Sequence, residues 1–335
     1  MINYSNRYTL KDQQQRNRNL NKNIPIITPF VLALDPTNAC NLKCNFCYMS
    51  SSVKKFKKLN MMNLENYKKI INDCTEFDKK IKVLRLYKNG EPLLNKNIAN
   101  MIKIAKDSNN FEKIDLTTNG TFLNKKLIDD LIKSGLDKIN ISINGVDKKS
   151  YFRNVSVNIE YKDVLNNIKY FHKNKNKTKI YIKTIKQILT ENEQKIFIND
   201  FKDFSDEIFM EELQDNWPEF KNPTNYLVPN KTNYGNSIIK KNVCPFIFYV
   251  MVINSDMTVS ICIQDWKNKK IAGSLKINTL KEIWDGKYLN EMRYNHLKHG
   301  YKCDDFCSKC NVIHSGTLDE IVASDKIIKL YKDKI

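Results

Sequence analysis

Two hydrophobic periods alternate along the chain. Short apolar or every-second-residue runs occur at Phe30–Asp35, Ile81–Tyr87, Lys113–Thr117, Ile139–Ile143, Ile180–Thr184 and near 207–213. Such runs predict strands buried on one or both faces. Between them lie stripes at a spacing of three and four: Leu64, Tyr67, Ile70, Ile71 and Cys74; Ile98, Met101, Ile102 and Ala105; Leu127, Ile128, Leu131 and Ile132; Val164, Leu165, Ile168 and Phe171; and a further helix over 191–204. Asn63 and Asn124 stand where side-chain caps would open helices, and Gly135 where one would stop. Six βα-type units predict an α/β fold with a parallel sheet, too short for an eight-stranded closed barrel and so a partial (β/α)6 barrel. Sites in such folds form at the C-terminal ends of the strands. The loops after Asp35, Tyr87, Thr117 and Ile143 therefore share one mouth.

The rhythm sets the expected domains. Residues 1–29 are polar and read as an arm, and 30–213 are the strand–helix core. Residues 214–243 hold Pro218, Pro223 and Pro229 among asparagines and read as a linker. A different unit follows over 244–311. Phe248–Ile253 and Met257–Ile263 flank Asn254-Ser255-Asp256 as a hairpin, and Thr279 with Glu282 opens a helix through about Leu297. A C-terminal tail spans 312–335.

Composition narrows the possible functions. A 335-residue chain with 41% hydrophobic and 28% charged residues can bury a core. No apolar run reaches the roughly 18 residues of a membrane span, and the polar start has no secretory h-region, so a cytoplasmic protein without a membrane partner is expected. The net charge of +19 would suit nucleic acid, but only six of the 56 basic residues are arginine and the lysines are scattered. A solvated basic surface is the preferred reading, nucleic acid is disfavoured, and an anionic small substrate is compatible.

Chemistry concentrates in the nine cysteines. Cys40, Cys44 and Cys47 stand in C-N-L-K-C-N-F-C directly after a predicted strand. Three soft thiolates on one loop can hold three irons of a [4Fe–4S] cube and leave the fourth open; zinc completed by His172 or His314 is the alternative. Phe46 precedes the last cysteine, the second strand ends in Asn89-Gly90-Glu91-Pro92, the third in Thr118-Asn119-Gly120, and the fourth reads Ile141-Ser142-Ile143-Asn144-Gly145. In this order of motifs, residues 30–213 resemble the radical S-adenosylmethionine (radical SAM) superfamily, with Asn89 replacing the first glycine of its GGEP segment. The resemblance implies that S-adenosylmethionine chelates the open iron and is reductively cleaved to a 5′-deoxyadenosyl radical that removes hydrogen from a C–H bond. It implies cofactor contacts at Phe46 beside the adenine, at Gly90, Glu91 and Pro92 around the ammonium, and at Ser142 and Asn144 for ribose or carboxylate.

Cys244 precedes the hairpin, Cys262 ends it, and Cys307 and Cys310 form a CxxC after the long helix. This resembles the single-cluster twitch form of the SPASM appendage, which implies a second [4Fe–4S] cluster on these four cysteines; structural zinc is the alternative. Cys303 repeats the three-then-two spacing and is a rival ligand, an extra thiol or a hydrogen donor. Cys74 lies on a helix stripe and reads as a core thiol. Trp217 and Tyr234 would line the pocket or pack, and Arg153 would bind an anion or pair at the surface. His296 and His299 sit near a helix C-terminus, where a histidine is favoured.

A fully ligated second cluster can accept an electron. The expected reaction is therefore an oxidation by a radical SAM oxidoreductase served by an electron donor such as flavodoxin or ferredoxin, and the resemblance to twitch-type enzymes, which include such a dehydrogenase, implies a polar small molecule (a sugar, aminocyclitol or sugar nucleotide) as substrate. The alternative enzyme is a ribosomal-peptide maturase, either epimerase or crosslinking. The expectation against it is that about 29 residues before the first strand are too few for the separate leader-peptide-binding domain many such maturases carry, although a neighbouring gene could supply one. The alternative outside enzymes is a non-catalytic iron–sulfur or zinc module for RNA, disfavoured by the absence of a basic stretch interleaved with aromatics.

Overall fold

The computed structural model describes residues 20–52, 59–316 and 319–335, with backbone only at Ser51 and Ser52. Most of the expected polar arm, 1–19, lies outside them. Six strands form as the alternation predicts: β1 (Val31–Leu34), β2 (Ile81–Leu86), β3 (Phe111–Thr118), β4 (Lys138–Ser142), β5 (Lys179–Ile185) and β6 (Glu207–Glu211). They pair parallel in sequence order. Their crossovers are helices that bury the stripes read from the sequence. Leu64–Asp73 buries Tyr67, Ile70 and Ile71 under an Asn63 cap, and Lys125–Lys133 buries Ile128 and Leu131 under Asn124. Each Ile or Leu so buried contributes about 1.5–3 kcal/mol of transfer free energy.

The hairpin does not stand apart from this sheet. β7 (Val250–Ile253) pairs parallel with β1, in the register Leu32↔Met251, and β8 (Thr258–Ser260) and β9 (Ile271–Ser274) continue antiparallel. The result is one nine-stranded sheet in the order β6-β5-β4-β3-β2-β1-β7-β8-β9. β1 is consequently central, and all four of its residues are buried.

Three local expectations change. The helix expected from Thr279 to about Leu297 is two, Leu280–Trp284 and Lys287–His299, divided at Asp285-Gly286. The end of the arm packs: Leu20 and Ile26 are buried, and the Ile26 carbonyl accepts Trp284 Nε1 at 3.0 Å. The tail includes the helix Asp325–Lys332, which seats buried Tyr331 edge-on against Phe248.

Candidate active site

A cavity of about 540 Å³ opens at the strand ends where the sequence places the mouth. Its wall includes Cys40, Cys44, Phe46, Cys47, Gly90, Glu91, Ser142 and Asn144, so eight of the nine residues expected to hold the first cluster and S-adenosylmethionine meet there. Pro92 is buried behind the wall, at the first position of the turn Pro92–Leu94, where its fixed φ suits it.

The loop after β3, the segment before Leu64 and the end of the helix Lys148–Val155 hold the cysteine loop. Thr37 Oγ1 donates to Asn60 O at 2.8 Å, Asn41 Nδ2 to Thr121 Oγ1 at 2.9 Å, and the amides of Lys43 and Asn45 to Val155 and Asn154 carbonyls at 3.0 Å. Burial pushes the Cys47 thiol up to about 12 and that of Cys44 well above its usual range; Cys44 also feels Cys47 and Cys40, and Cys47 feels Cys40. Three mutually sensing soft donors in a poorly solvated pocket fit an iron–sulfur cluster, whose binding would displace their protons. Asn144 Nδ2 donates to Cys44 Sγ at 3.8 Å, a contact of the kind that tunes such a cluster.

Gly90 explains the meeting of two loops. A Cβ there would lie 2.3 Å from the carbonyl oxygens of both Ala39 and Thr37, and the Glu91 amide donates to Ala39 O at 2.7 Å. Asn89, in place of the family's glycine, ties this turn down. Its Nδ2 donates to Asp35 Oδ2 at 3.0 Å, and its Oδ1 accepts Tyr48 Oη at 2.6 Å. Burial lifts the Asp35 carboxyl to about 6. Glu91, expected around the ammonium, is on the cavity wall with its carboxylate already hydrogen-bonded. It is 2% exposed and already accepts Thr118 Oγ1 at 2.6 Å and the amides of Asn119 and Leu93 at 2.7 and 3.0 Å. Its carboxylate, raised to about 7 by burial, braces the ends of β2 and β3.

The second cysteine set also converges. Cys262 feels Cys244 and Cys310, and Cys307 feels Cys244, Cys262 and Cys310. Burial pushes the Cys244 thiol up to about 12. Exposed Cys303 answers only to burial, Asp304 and a backbone hydrogen bond. Phe246, Ile263, Gln264 and Val312, each within two residues of one of the four thiols, form another part of the cavity wall. Among the described residues no three His, Cys, Asp or Glu side chains form a group suited to a single ion.

The other candidates resolve. Cys74 is a core thiol donating to Ile70 O at 3.3 Å. Arg153 pairs with Glu193 at 2.7 Å and is not on the cavity wall, whereas Trp217 and Tyr234 are. His172 packs edge-on against Phe204 and His314 accepts the Lys241 amide at 3.2 Å, so neither completes the first triad. Arg85, Tyr87, Lys183 and Glu211 also line the cavity and were not singled out from sequence. Their signal was present: a charge at an alternate position of an apolar strand, as in Ile81–Tyr87 and Ile180–Ile185, marks an interior polar face.

The profile of the radical SAM superfamily matches residues 34–194, and that of the SPASM iron–sulfur cluster-binding domain matches 244–311. The chain belongs to the radical SAM superfamily and carries a C-terminal SPASM domain, and with them come [4Fe–4S] clusters and S-adenosylmethionine. A GTP 3′,8-cyclase from Desulforamulus reducens is 29% identical over 150 residues, 45% of this chain and 43% of that protein. This chain thus spans less than half the length of the curated relatives it matches. The crystal structure of BtrN in complex with AdoMet and 2-DOIA aligns with a TM-score of 0.56 at 18% identity, over 87% of this chain and 96% of its own. Streptococcus suis SuiB bound to precursor peptide SuiA aligns with a TM-score of 0.58 at 15% identity, over 88% and 72%. At these identities the likeness is one of fold, the parallel α/β partial barrel. No helix among the described residues is long and apolar enough to cross a membrane.

Proposed function

We propose that this chain is a radical SAM oxidoreductase that abstracts hydrogen from a polar small molecule (a sugar, aminocyclitol or sugar nucleotide) and oxidises it by two electrons. One observation carries the reading: a single cavity of about 540 Å³ has the Cys40–Cys44–Cys47 loop on its wall and also the residues flanking Cys244, Cys262 and Cys310. That volume lies in the usual range of small-ligand pockets. When bound, the first cluster with S-adenosylmethionine supplies a hydrogen-abstracting radical, and the second cluster supplies an acceptor for the electron left on the substrate. Cys40, Cys44 and Cys47 hold the first cluster, and Cys244, Cys262, Cys307 and Cys310 the second. Phe46, Ser142, Asn144 and the close backbone at Gly90 seat the cofactor, and Arg85, Tyr87, Lys183 and Tyr234 face the substrate.

Peptide epimerisation would need a thiol to return hydrogen. The leading candidate, Cys303, is exposed and not part of the cavity wall, which favours oxidation. The test is isotopic. Deuterium on the reacting substrate carbon should appear in 5′-deoxyadenosine, and product mass should fall by two hydrogens. Cys244→Ala should lose about half of roughly eight irons and the oxidised product, and Cys303→Ala neither. Unchanged product mass with solvent deuterium gained, dependent on Cys303, would replace the oxidoreductase by an epimerase.

A further inference from the structure

The cavity's polar groups are unevenly satisfied. Its carboxylates already have donors. Glu91 has three; Glu211 receives Lys183 Nζ at 3.0 Å on each oxygen; Glu212 faces Lys186 at 3.7 Å and accepts Gln187 Nε2. Of the cavity's other polar groups, Gln264 Oε1 and Thr184 Oγ1 are buried without hydrogen-bond partners among the described residues, and two donors are unmatched as well. Arg85 Nε lies 3.3 Å from Asp115 Oδ2 without forming a hydrogen bond, and among the described residues the guanidinium has no hydrogen-bond acceptor. Gln214 Nε2, on the same wall, is a second buried donor without an acceptor. The Arg85 side chain is 32% accessible although it projects from a central strand, because the open part faces the cavity. Asp115, then Tyr87, Tyr234 and Tyr249, stand close enough to Arg85 for their charges to be felt, and Lys183 feels Tyr87 and Tyr234 in turn. Beside Asp115 the guanidinium keeps donors free toward the cavity, and its five fixed N–H groups match a carboxylate or phosphate.

We propose that Arg85 is a specificity-determining anchor for an oxyanion, carboxylate or phosphate, carried by the substrate, with Tyr87 beside it and Lys183 and Gln214 on the same cavity wall. This rests on the cavity being the substrate site. An anchor deep on β2 would hold the charged end of the substrate and leave its reacting C–H toward the cofactor wall.

The probes are inorganic phosphate, acetate and neutral glucose, titrated calorimetrically into reconstituted holoenzyme with S-adenosylmethionine. Saturable one-to-one binding of phosphate or acetate, and not glucose, is expected, and the preferred anion tells phosphate from carboxylate. The paired variant Arg85→Gln/Asp115→Asn avoids stranding a buried carboxylate; it should bind that anion about tenfold more weakly or worse, with Arg153→Gln unchanged. In the unaltered enzyme the anion should also slow modification of Arg85 by phenylglyoxal, read by peptide mass spectrometry, which requires no variant to fold. Absent anion saturation, an unaffected paired variant, or weakened S-adenosylmethionine binding in that variant would overturn the anchor. Anion binding at Arg85 without any 5′-deoxyadenosine formation would instead sink the proposed function and leave the anchor standing.

Discussion

His296 shows how burial rewrites a residue's role. Its place in the last turn of Lys287–His299 suits a cation facing the helix dipole. Instead the ring is fully buried, neither nitrogen has a hydrogen-bond partner among the described residues, and burial drags its pKa from 6.5 to about 4 against a weaker pull from Asp304. The unfolded chain takes a proton near pH 6.5 and the folded chain holds out to about 4. The stability from keeping the ring neutral is therefore complete above pH 6.5 and lost as pH falls toward 4. The loss across that window is roughly 3 kcal/mol. His296→Leu should flatten this part of the stability profile, read from urea midpoints at pH 7 and pH 5. Equal pH slopes in variant and parent would refute the neutral buried ring. The cysteines behave oppositely: their type and spacing already carried their chemistry before any environment was known.

At the scale of elements, each strand end contributes one part of the site, and the turns decide how the parts meet. Gly90 is the tightest of these joints, since any side chain meets two backbone carbonyls that belong to the cysteine loop. Gly90→Ala should displace Cys40, leave about half of the iron on the second set, and abolish substrate-free cleavage of S-adenosylmethionine. Iron analysis with a 5′-deoxyadenosine assay checks this; full iron and normal cleavage would show that the loop can yield. The strand and helix periods announced β1–β6 and their crossovers. They did not announce β9, whose four residues include Ala272 and Gly273, because so short and small a strand carries almost no hydrophobic pattern. The split helix escaped for a similar reason: its apolar stripe continues across Gly286, where the backbone breaks.

For the whole molecule, the decisive contact is β1 with β7. It makes the C-terminal unit part of the same sheet as the core, and Lys88 reinforces the junction. From the end of β2, its Nζ donates to Asn254 at 2.5 Å and Asn268 at 2.7 Å, in and beyond the hairpin. A chain ending at residue 213 would expose the second edge of β1 and strand Lys88 without these acceptors. Size-exclusion chromatography should find that fragment aggregated. A monomeric fragment with a native circular dichroism spectrum that still cleaves S-adenosylmethionine would mean the core folds independently.

By itself the sequence determined the α/β class, the order of the parallel strands, the two cysteine sets and the family, because periodicity and thiol spacing are local properties written in consecutive residues. Only the tertiary structure brought Cys244, Cys262, Cys307 and Cys310 near enough to feel one another's charge, while Cys303 stands exposed. The same fold set the Glu91 carboxylate against the end of β3, paired Arg153 outside the cavity and placed Arg85 beside Asp115 on the cavity wall. These outcomes depend on partners tens of residues away. Hydrogen bonding and desolvation are settled by the full set of neighbours in space, and no local stretch of sequence contains that set.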